Sequence, residues 1–209
     1  MIEMNGMDER EKMTQGHLYD ASLGELPELR RRAHDLCRKY NGLSEVDGER
    51  STILSALLGE MGEGVFFQGP IQFDYGFNTV IGARSYVNFN FTCLDCAPVR
   101  IGRDVFIGPN VSLLTPMHPL RYEERNAHVG VDGKWHALEY ARPIEIEDDC
   151  WIAGNVTICG GVRIGRGCVI GAGSVVTHDI EAHHLAVGVP CRARRAITEA
   201  DTLFRDGNY

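Results

Sequence analysis

The sequence lacks three things, and each absence removes a class of function. No uninterrupted apolar run approaches the ~20 residues of a membrane-spanning helix, so no transmembrane segment is expected. Basic residues are in short supply: 21 Lys and Arg face 29 Asp and Glu, a formal net charge of −8. Nucleic-acid binders and proteins held to anionic lipid need a basic face, which this balance disfavours. A disulfide framework is missing too, because the 7 cysteines are odd in number and scattered. The opening Met1 to Thr14 is charged and mostly polar, unlike a secretory signal. What remains is a chain of 209 residues, 44% apolar and 24% charged, with the composition of a soluble cytoplasmic protein built on one substantial core.

Two textures divide the chain. Residues 1–61 read as a helical region. Leu29, Ala33, Leu36, Cys37 and Tyr40 recur at spacings of three and four, with Arg30, Arg31, Arg32, Arg38 and Lys39 mostly opposite. Asn41-Gly42 supplies a stop, since both residues tolerate the left-handed conformation. A second helix is expected from Asp47 as N-cap, with Ile53, Leu54, Leu57, Leu58 and Met61 as its apolar stripe. Two such helices have too little core to stand alone and should pack on the remainder of the chain.

From Gly62 the helical spacing gives way to a period of six. The positions are Ile81, Val87 and Cys93, then Ile101, Ile107 and Leu113, then Ile146, Ile152, Ile158, Ile164, Ile170 and Val176. Eleven of these twelve are Ile, Leu or Val. The next residue is often Gly or Ala, as at Gly82, Gly102, Gly108, Ala153, Gly165 and Gly171. Six residues suit a short strand and a tight turn with one aliphatic side chain pointing inward, and three such units make a triangular coil. Coils then stack ~4.8 Å apart as parallel strands. The pattern resembles the hexapeptide-repeat family, an all-β solenoid whose fold is a left-handed parallel β-helix; the hand comes from that resemblance. The β-helix is expected over 62–195, with a tail over 196–209. One stretch, 115–143, breaks the repeat, and a long loop leaving a solenoid is usually functional.

His118 stands where this excursion begins, between Met117 and Pro119, with little backbone freedom, and suits a general base. Cys93 and Cys96 have a CxxC spacing, yet no second CxxC completes a four-ligand zinc site and Cys93 falls on the inward register, so packing is the expected role. Cys150 and Cys168 take inward positions of the same kind. Gly160-Gly161 and Gly171-Ala172-Gly173 lack the GxxxxGK[ST] arrangement of a phosphate loop and read as corners. Arg192, Arg194 and Arg195 form a basic cluster that suits phosphate contact.

A closer resemblance rests on several segments together. These are Asp74-Tyr75-Gly76, Tyr86-Val87-Asn88-Phe89-Asn90, Leu94-Asp95, Thr115 to Pro119, Cys150-Trp151-Ile152, Gly171 to Thr177 and Gly188-Val189-Pro190-Cys191-Arg192. With Leu18-Tyr19 and the helix ending at Asn41, they resemble the maltose and galactoside O-acetyltransferases over nearly the whole chain. The resemblance implies acetyl transfer from acetyl-CoA, without a metal, to a small-molecule hydroxyl acceptor. It implies homotrimers with active sites between neighbouring β-helices. His118 takes the place of the catalytic histidine, and Asp74, Tyr86, Asn88, Asp95 and Cys96 fall on the acceptor side. Trp151, Gly154, Ala172, Thr177, His178, Arg192 and Arg195 fall along the coenzyme, with a backbone N–H near Gly154 facing the oxyanion.

Departures gather on the acceptor side. Cys96 stands where the galactoside enzymes have an acid, and Ala21, with Asp20 beside it, aligns with an acidic acceptor contact. His178 stands where Lys is common. The excursion is longer than in either namesake and brings in His128, Trp135, His136 and Tyr140. Two other readings compete. One is a non-catalytic β-helix scaffold. The other is a zinc lyase of the carbonic-anhydrase type, which needs three converging histidines.

Overall fold

A computed structural model describes residues 6–203. The ends of the helical region and of the tail, residues 1–5 and 204–209, lie outside the described residues. Parallel strands stack into three sheets of 5, 5 and 7 strands, the last closed by an antiparallel pair, His184–Val187 with Arg192–Ala196. The residues at sixfold spacing form the core: Ile81, Val87, Cys93, Ile101, Ile107, Leu113, Ile146, Ile152, Ile158, Ile164, Ile170 and Val176 are all buried. Full burial of such a side chain contributes roughly 1.5–3 kcal/mol.

Gly82, Gly102, Gly108 and Gly165 are required by the close approach of successive coils. A Cβ on Gly82 would stand 2.5 Å from Arg103 N, and one on Gly165 2.5 Å from Ala182 N. The next coil passes too close for any side chain. Left-handed backbone occurs elsewhere in the turns, at Arg84, Asn90, Asp104, Asn110, Asp149, Asn155 and His183. Three of these build a ladder between coils: Asn90 Nδ2 donates to Asn110 Oδ1 (2.9 Å), and Asn110 Nδ2 donates to Asn155 Oδ1 (3.1 Å).

The N-terminal region is less helical than its composition suggests. Helices cover Glu9–Thr14, Leu26–Asn41 and Glu49–Leu57. Tyr19–Asp20 is a strand, and Glu60–Met61 already pairs with Thr79–Ile81 as the first strand of the solenoid. Gly48, not Asp47, is the N-cap, and no side chain caps the helix there; Asp47 lies one residue earlier, its Oδ1 accepting from Glu49 N at 2.9 Å. Gly42 does not turn left-handed; its φ is −86°. Asn41 instead locks the helix to the first coil, accepting from Ile71 N (2.8 Å) and donating to Ile71 O (2.9 Å). Beside it Tyr40 and Arg50 both donate to Phe67 O, at 2.6 and 2.7 Å. These side chains satisfy carbonyls of the first coil that no earlier strand covers.

Candidate active site

The site grows out of the place where the repeat stops. Thr115 ends the third coil, its buried hydroxyl donating to Leu94 O (2.6 Å) and accepting from Ala97 N (3.0 Å). The chain then leaves the solenoid as Pro116–Met117, which pairs antiparallel with Leu138–Ala141; that strand pairs on its other edge with Tyr19–Asp20. Strand pairing thus fixes the chain up to Met117, the residue before His118. Met117 lies opposite Tyr140, so His118 comes next to Glu139, and Nε2 is 3.6 Å from Glu139 Oε2. The imidazole is 57% exposed and the carboxylate 17%.

His118 opens on a cleft of about 310 Å³ that Glu139, Leu138, Ala21, Arg30 and Arg125 also line. Arg30 donates to Ala21 O and Tyr75 Oη, both at 3.4 Å, and neither arginine has an ion-pair partner among the described residues. Tyr19, opposite Glu139 on the third strand, is completely buried. Desolvation holds its phenol well above its ordinary range, with Cys96 and Glu139 beside it. An open cleft with an imidazole and a carboxylate at one end can bind a polyol and take a proton from it.

The acceptor-side residues named from the sequence divide into two groups. Tyr86 and Asn88 lie on or just after the strand Tyr86–Val87, with Tyr86 Oη donating to Gln68 Oε1 at 3.4 Å. Asp74, Asp95 and Cys96 form a connected set. Asp95 does not face the cleft. It is fully buried, accepting at Oδ1 from Tyr75 N (2.9 Å) and Gly76 N (3.0 Å), and at Oδ2 from Thr79 Oγ1 (3.0 Å). Burial pushes its carboxyl up to about 6 against those hydrogen bonds. Cys96, also buried, donates to Asp74 Oδ2 at 3.6 Å. Burial raises the thiols of Cys93 and Cys96, which behave as packing groups. Asp20 is equally unavailable, since Ser22 and His136 take up its carboxylate.

The coenzyme-side residues begin on the sheet that also carries Tyr86. Trp151 is 54% exposed and stands in register between Phe106, 55% exposed, and Val169. Tyr86 pairs with Phe106 and Phe66 stacks on Tyr86, so an aromatic stripe climbs this sheet. Gly154 follows at a corner, and its N–H has no partner among the described residues. Ala172 and Thr177 are exposed, and Thr177 Oγ1 is 2.8 Å from His178 Nδ1. Arg192 reaches within 3.5 Å of that same nitrogen. Arg195 is committed instead to Asp201, at 2.5 and 2.8 Å. None of these residues lines the cleft that holds His118.

Sequence reasoning missed Glu139, Arg30 and Arg125. Glu139 sits in a four-residue strand with no repeat to place it, and Arg30 looked like one of several solvent-facing arginines.

Known proteins match this arrangement. The maltose acetyltransferase hexapeptide capping motif matches residues 12–62, and the bacterial transferase hexapeptide (six repeats) matches residues 143–178. The galactoside O-acetyltransferase of Escherichia coli is 38% identical, covering 95% of this chain and 94% of its own. A crystal structure of a maltose O-acetyltransferase from Clostridium difficile superposes with a TM-score of 0.86 at 38% identity, covering 93% of this chain and 100% of that one. A hexapeptide-repeat acetyltransferase from Vibrio cholerae, solved with acetyl-CoA, superposes with a TM-score of 0.81 at 35% identity, covering 92% and 100%. The shared capping helices, the stacked hexapeptide coils and identity over almost the full length place this chain in the maltose and galactoside O-acetyltransferase family of hexapeptide-repeat proteins.

Proposed function

We propose that the chain transfers the acetyl group of acetyl-CoA to a hydroxyl of a sugar or sugar-like acceptor, with His118 as general base. The observation that carries this reading is the exposed imidazole of His118 at the end of an open cleft, beside the Glu139 carboxylate. His118 accepts the acceptor's hydroxyl proton as the oxygen attacks the thioester carbonyl. The C–O bond forms, the C–S bond breaks, and His118 passes the proton to the departing thiolate. The N–H of Gly154, without a partner among the described residues, is suited to donate to the oxyanion, a contribution of roughly 3–4 kcal/mol where such donors are well placed. Arg30 and Arg125 line the acceptor cleft, and Tyr86 and Asn88, which stand on the sheet of Trp151, would meet it from a neighbouring chain.

The coenzyme runs past Trp151, Gly154, Ala172 and Thr177 toward His178 and Arg192. These residues fit it: an apolar ring for the pantetheine arm, and an exposed guanidinium with no carboxylate partner among the described residues for the phosphates.

The working enzyme is a homotrimer. The His118 cleft and the coenzyme residues occupy different parts of one chain, and the stripe of Phe66, Tyr86, Phe106 and Trp151 leaves an apolar face uncovered. A neighbouring β-helix seated on that face would bring one chain's His118 to the other's coenzyme groove. Seven free thiols suit a reducing compartment, the cytoplasm.

A zinc lyase fits less well, because the histidines are engaged apart: His118 by Glu139, His136 by Asp20 and Asp132, and His184 by Ala182 O. The decisive experiment is His118→Ala, assayed by thiol release with maltose and methyl β-D-galactoside, alongside calorimetry with acetyl-CoA. We expect kcat to fall by roughly 10²–10⁴-fold with coenzyme binding retained. A near-parental kcat would remove His118 from the mechanism, and absence of acetyl-CoA binding by the parent would favour a scaffold.

A further inference from the structure

The excursion folds into a hairpin, His128–Val129 with Trp135–His136, before it returns as the strand that carries Glu139. His136 is its last residue and its least exposed polar one, with a side chain only 18% accessible. Both ring nitrogens face carboxylates: Nδ1 is 3.1 Å from Asp20 Oδ2 and Nε2 is 3.0 Å from Asp132 Oδ1. A carboxylate only accepts, whereas a neutral imidazole donates from one nitrogen and presents a lone pair from the other. Only the doubly protonated ring satisfies both contacts.

The hairpin is shaped around this ring. A Cβ on Gly130 would stand 2.7 Å from His136 Cδ2 and 3.1 Å from Nε2, so any larger residue would displace the imidazole. Asp20 is likewise prepared for it. Its Oδ1 accepts from Ser22 N (2.9 Å) and Ser22 Oγ (2.6 Å), and its own N–H donates to Glu9 Oε2 (2.7 Å). With Oδ1 saturated, Oδ2 is left to His136 and, more loosely, to Ala137 N at 3.4 Å.

The two ends of this contact belong to the two walls of the His118 cleft. Asp20, Ala21 and Ser22 form one wall, and Ala137, Leu138 and Glu139, the three residues after His136, form the other. We propose that His136 is a positioning residue for acceptor binding: as an imidazolium tied to Asp20 and Asp132, it clasps the two walls together and sets where Glu139 stands against His118. The proposal rests on the acetyl-transfer reading of this cleft.

The charges around the ring agree with the protonated form. Asp132 and Asp20 hold the imidazole above its ordinary value, Asp132 the more strongly. Lys134 donates its backbone N–H to the same Asp132 oxygen, and His128 lies across the hairpin from His136. On the other side, Glu9 is already neutralised by Lys12 at 2.6 Å. Because the folded state holds this proton more tightly than the unfolded chain does, the clasp is complete at low pH. It opens as pH rises through the raised value.

The test joins a titration to kinetics. The ring C–H resonances of His136, assigned by comparison with His136→Gln, are followed by NMR from pH 5 to 9. KM for methyl β-D-galactoside or maltose, whichever the parent acetylates faster, is measured over the same range. We expect His136 to titrate above an exposed histidine and Asp132→Asn to lower it. In His136→Gln, acceptor KM should rise roughly three- to tenfold at pH 6.5 while the KM for acetyl-CoA is unchanged. The parent's acceptor KM should climb toward the variant's as pH rises, and the variant's should stay flat. Gly130→Ala, which keeps every titrating group, should reproduce the KM effect, so a folding defect peculiar to one variant cannot imitate the result. An acceptor KM unchanged in His136→Gln, or a His136 that titrates at or below the ordinary value, overturns the clasp. Failure of the parent to acetylate either sugar would count against the acetyl-transfer reading; the clasp is then judged on the titration, where a lowered or unshifted value overturns it.

Discussion

His118 and Glu139 face each other as the next pair beyond Met117 and Tyr140, with 3.6 Å between Nε2 and Oε2. Glu139 is also the residue opposite Tyr19, so one short strand connects the start of the excursion to the N-terminal segment. A general base needs its ring held in one orientation while it exchanges a proton. Here the group beside the ring is a carboxylate carried by a strand that is paired along both edges.

Glu139→Ala should therefore lower kcat about tenfold, while the KM for acetyl-CoA stays at the parent value. Glu139→Gln, which keeps shape and an acceptor oxygen, should recover part of that loss. Steady-state kinetics with the preferred sugar checks both variants, and equal kcat in all three proteins would exclude a role for Glu139.

The basic cluster at the end of the solenoid is not uniform. Asp201 holds Arg195, while Arg192 points toward His178 with no carboxylate partner among the described residues. Arg192→Ala should raise the KM for acetyl-CoA about tenfold, and more at low salt, since a charge-assisted phosphate contact is worth about 1–2 kcal/mol. Arg195→Ala should change it less. Acetyl-pantetheine, which lacks the nucleotide phosphates, should be used equally by parent and both variants.

Phe106 tests the assembly. It stands in register between Tyr86 and Trp151 and is 55% exposed. Phe106→Asp should turn a trimer into monomers in light scattering and abolish acetyl transfer, with the far-UV circular dichroism unchanged. A fully active monomer would contradict the shared site.

Asp95 should contribute to the pH dependence of stability. Its carboxyl is raised to about 6, so the folded protein binds this proton more tightly than the unfolded chain. Alone, the group therefore makes the fold more stable as pH falls from about 6 to 4, and costs stability above that window. Asp95→Asn removes the charge and keeps an acceptor for Tyr75 N and Gly76 N. Denaturant titrations should show the variant gaining about 2 kcal/mol over the parent between pH 4 and pH 7. Its acceptor KM should not change. Asp95→Ala would leave three buried donors unpaired and should cost about 2–4 kcal/mol at pH 7.

The period of six was enough to establish the solenoid, because each inward aliphatic residue is set by local geometry and repeats with the backbone. The family motifs were legible for the same reason: His118 is tied to the end of a coil and Trp151 to a strand within one. Other features were decided by contacts between residues far apart in sequence, and no local pattern announces those. Gly82 and Gly165 are glycine because the next coil passes within 2.5 Å of a built Cβ, not because the corner needs a special φ. Asn41 ends its helix as the sequence suggests, but its second role, a lock on Ile71, has no local signature. Asp95 read as an acceptor contact, but its burial under Tyr75, Gly76 and Thr79 makes it a brace. Glu139 and His136 acquire their roles only when Tyr19–Asp20, over a hundred residues away, returns as the neighbouring strand. Periodicity reports what a residue does along its own chain, whereas charge pairing and cleft geometry depend on which distant segment folding places beside it.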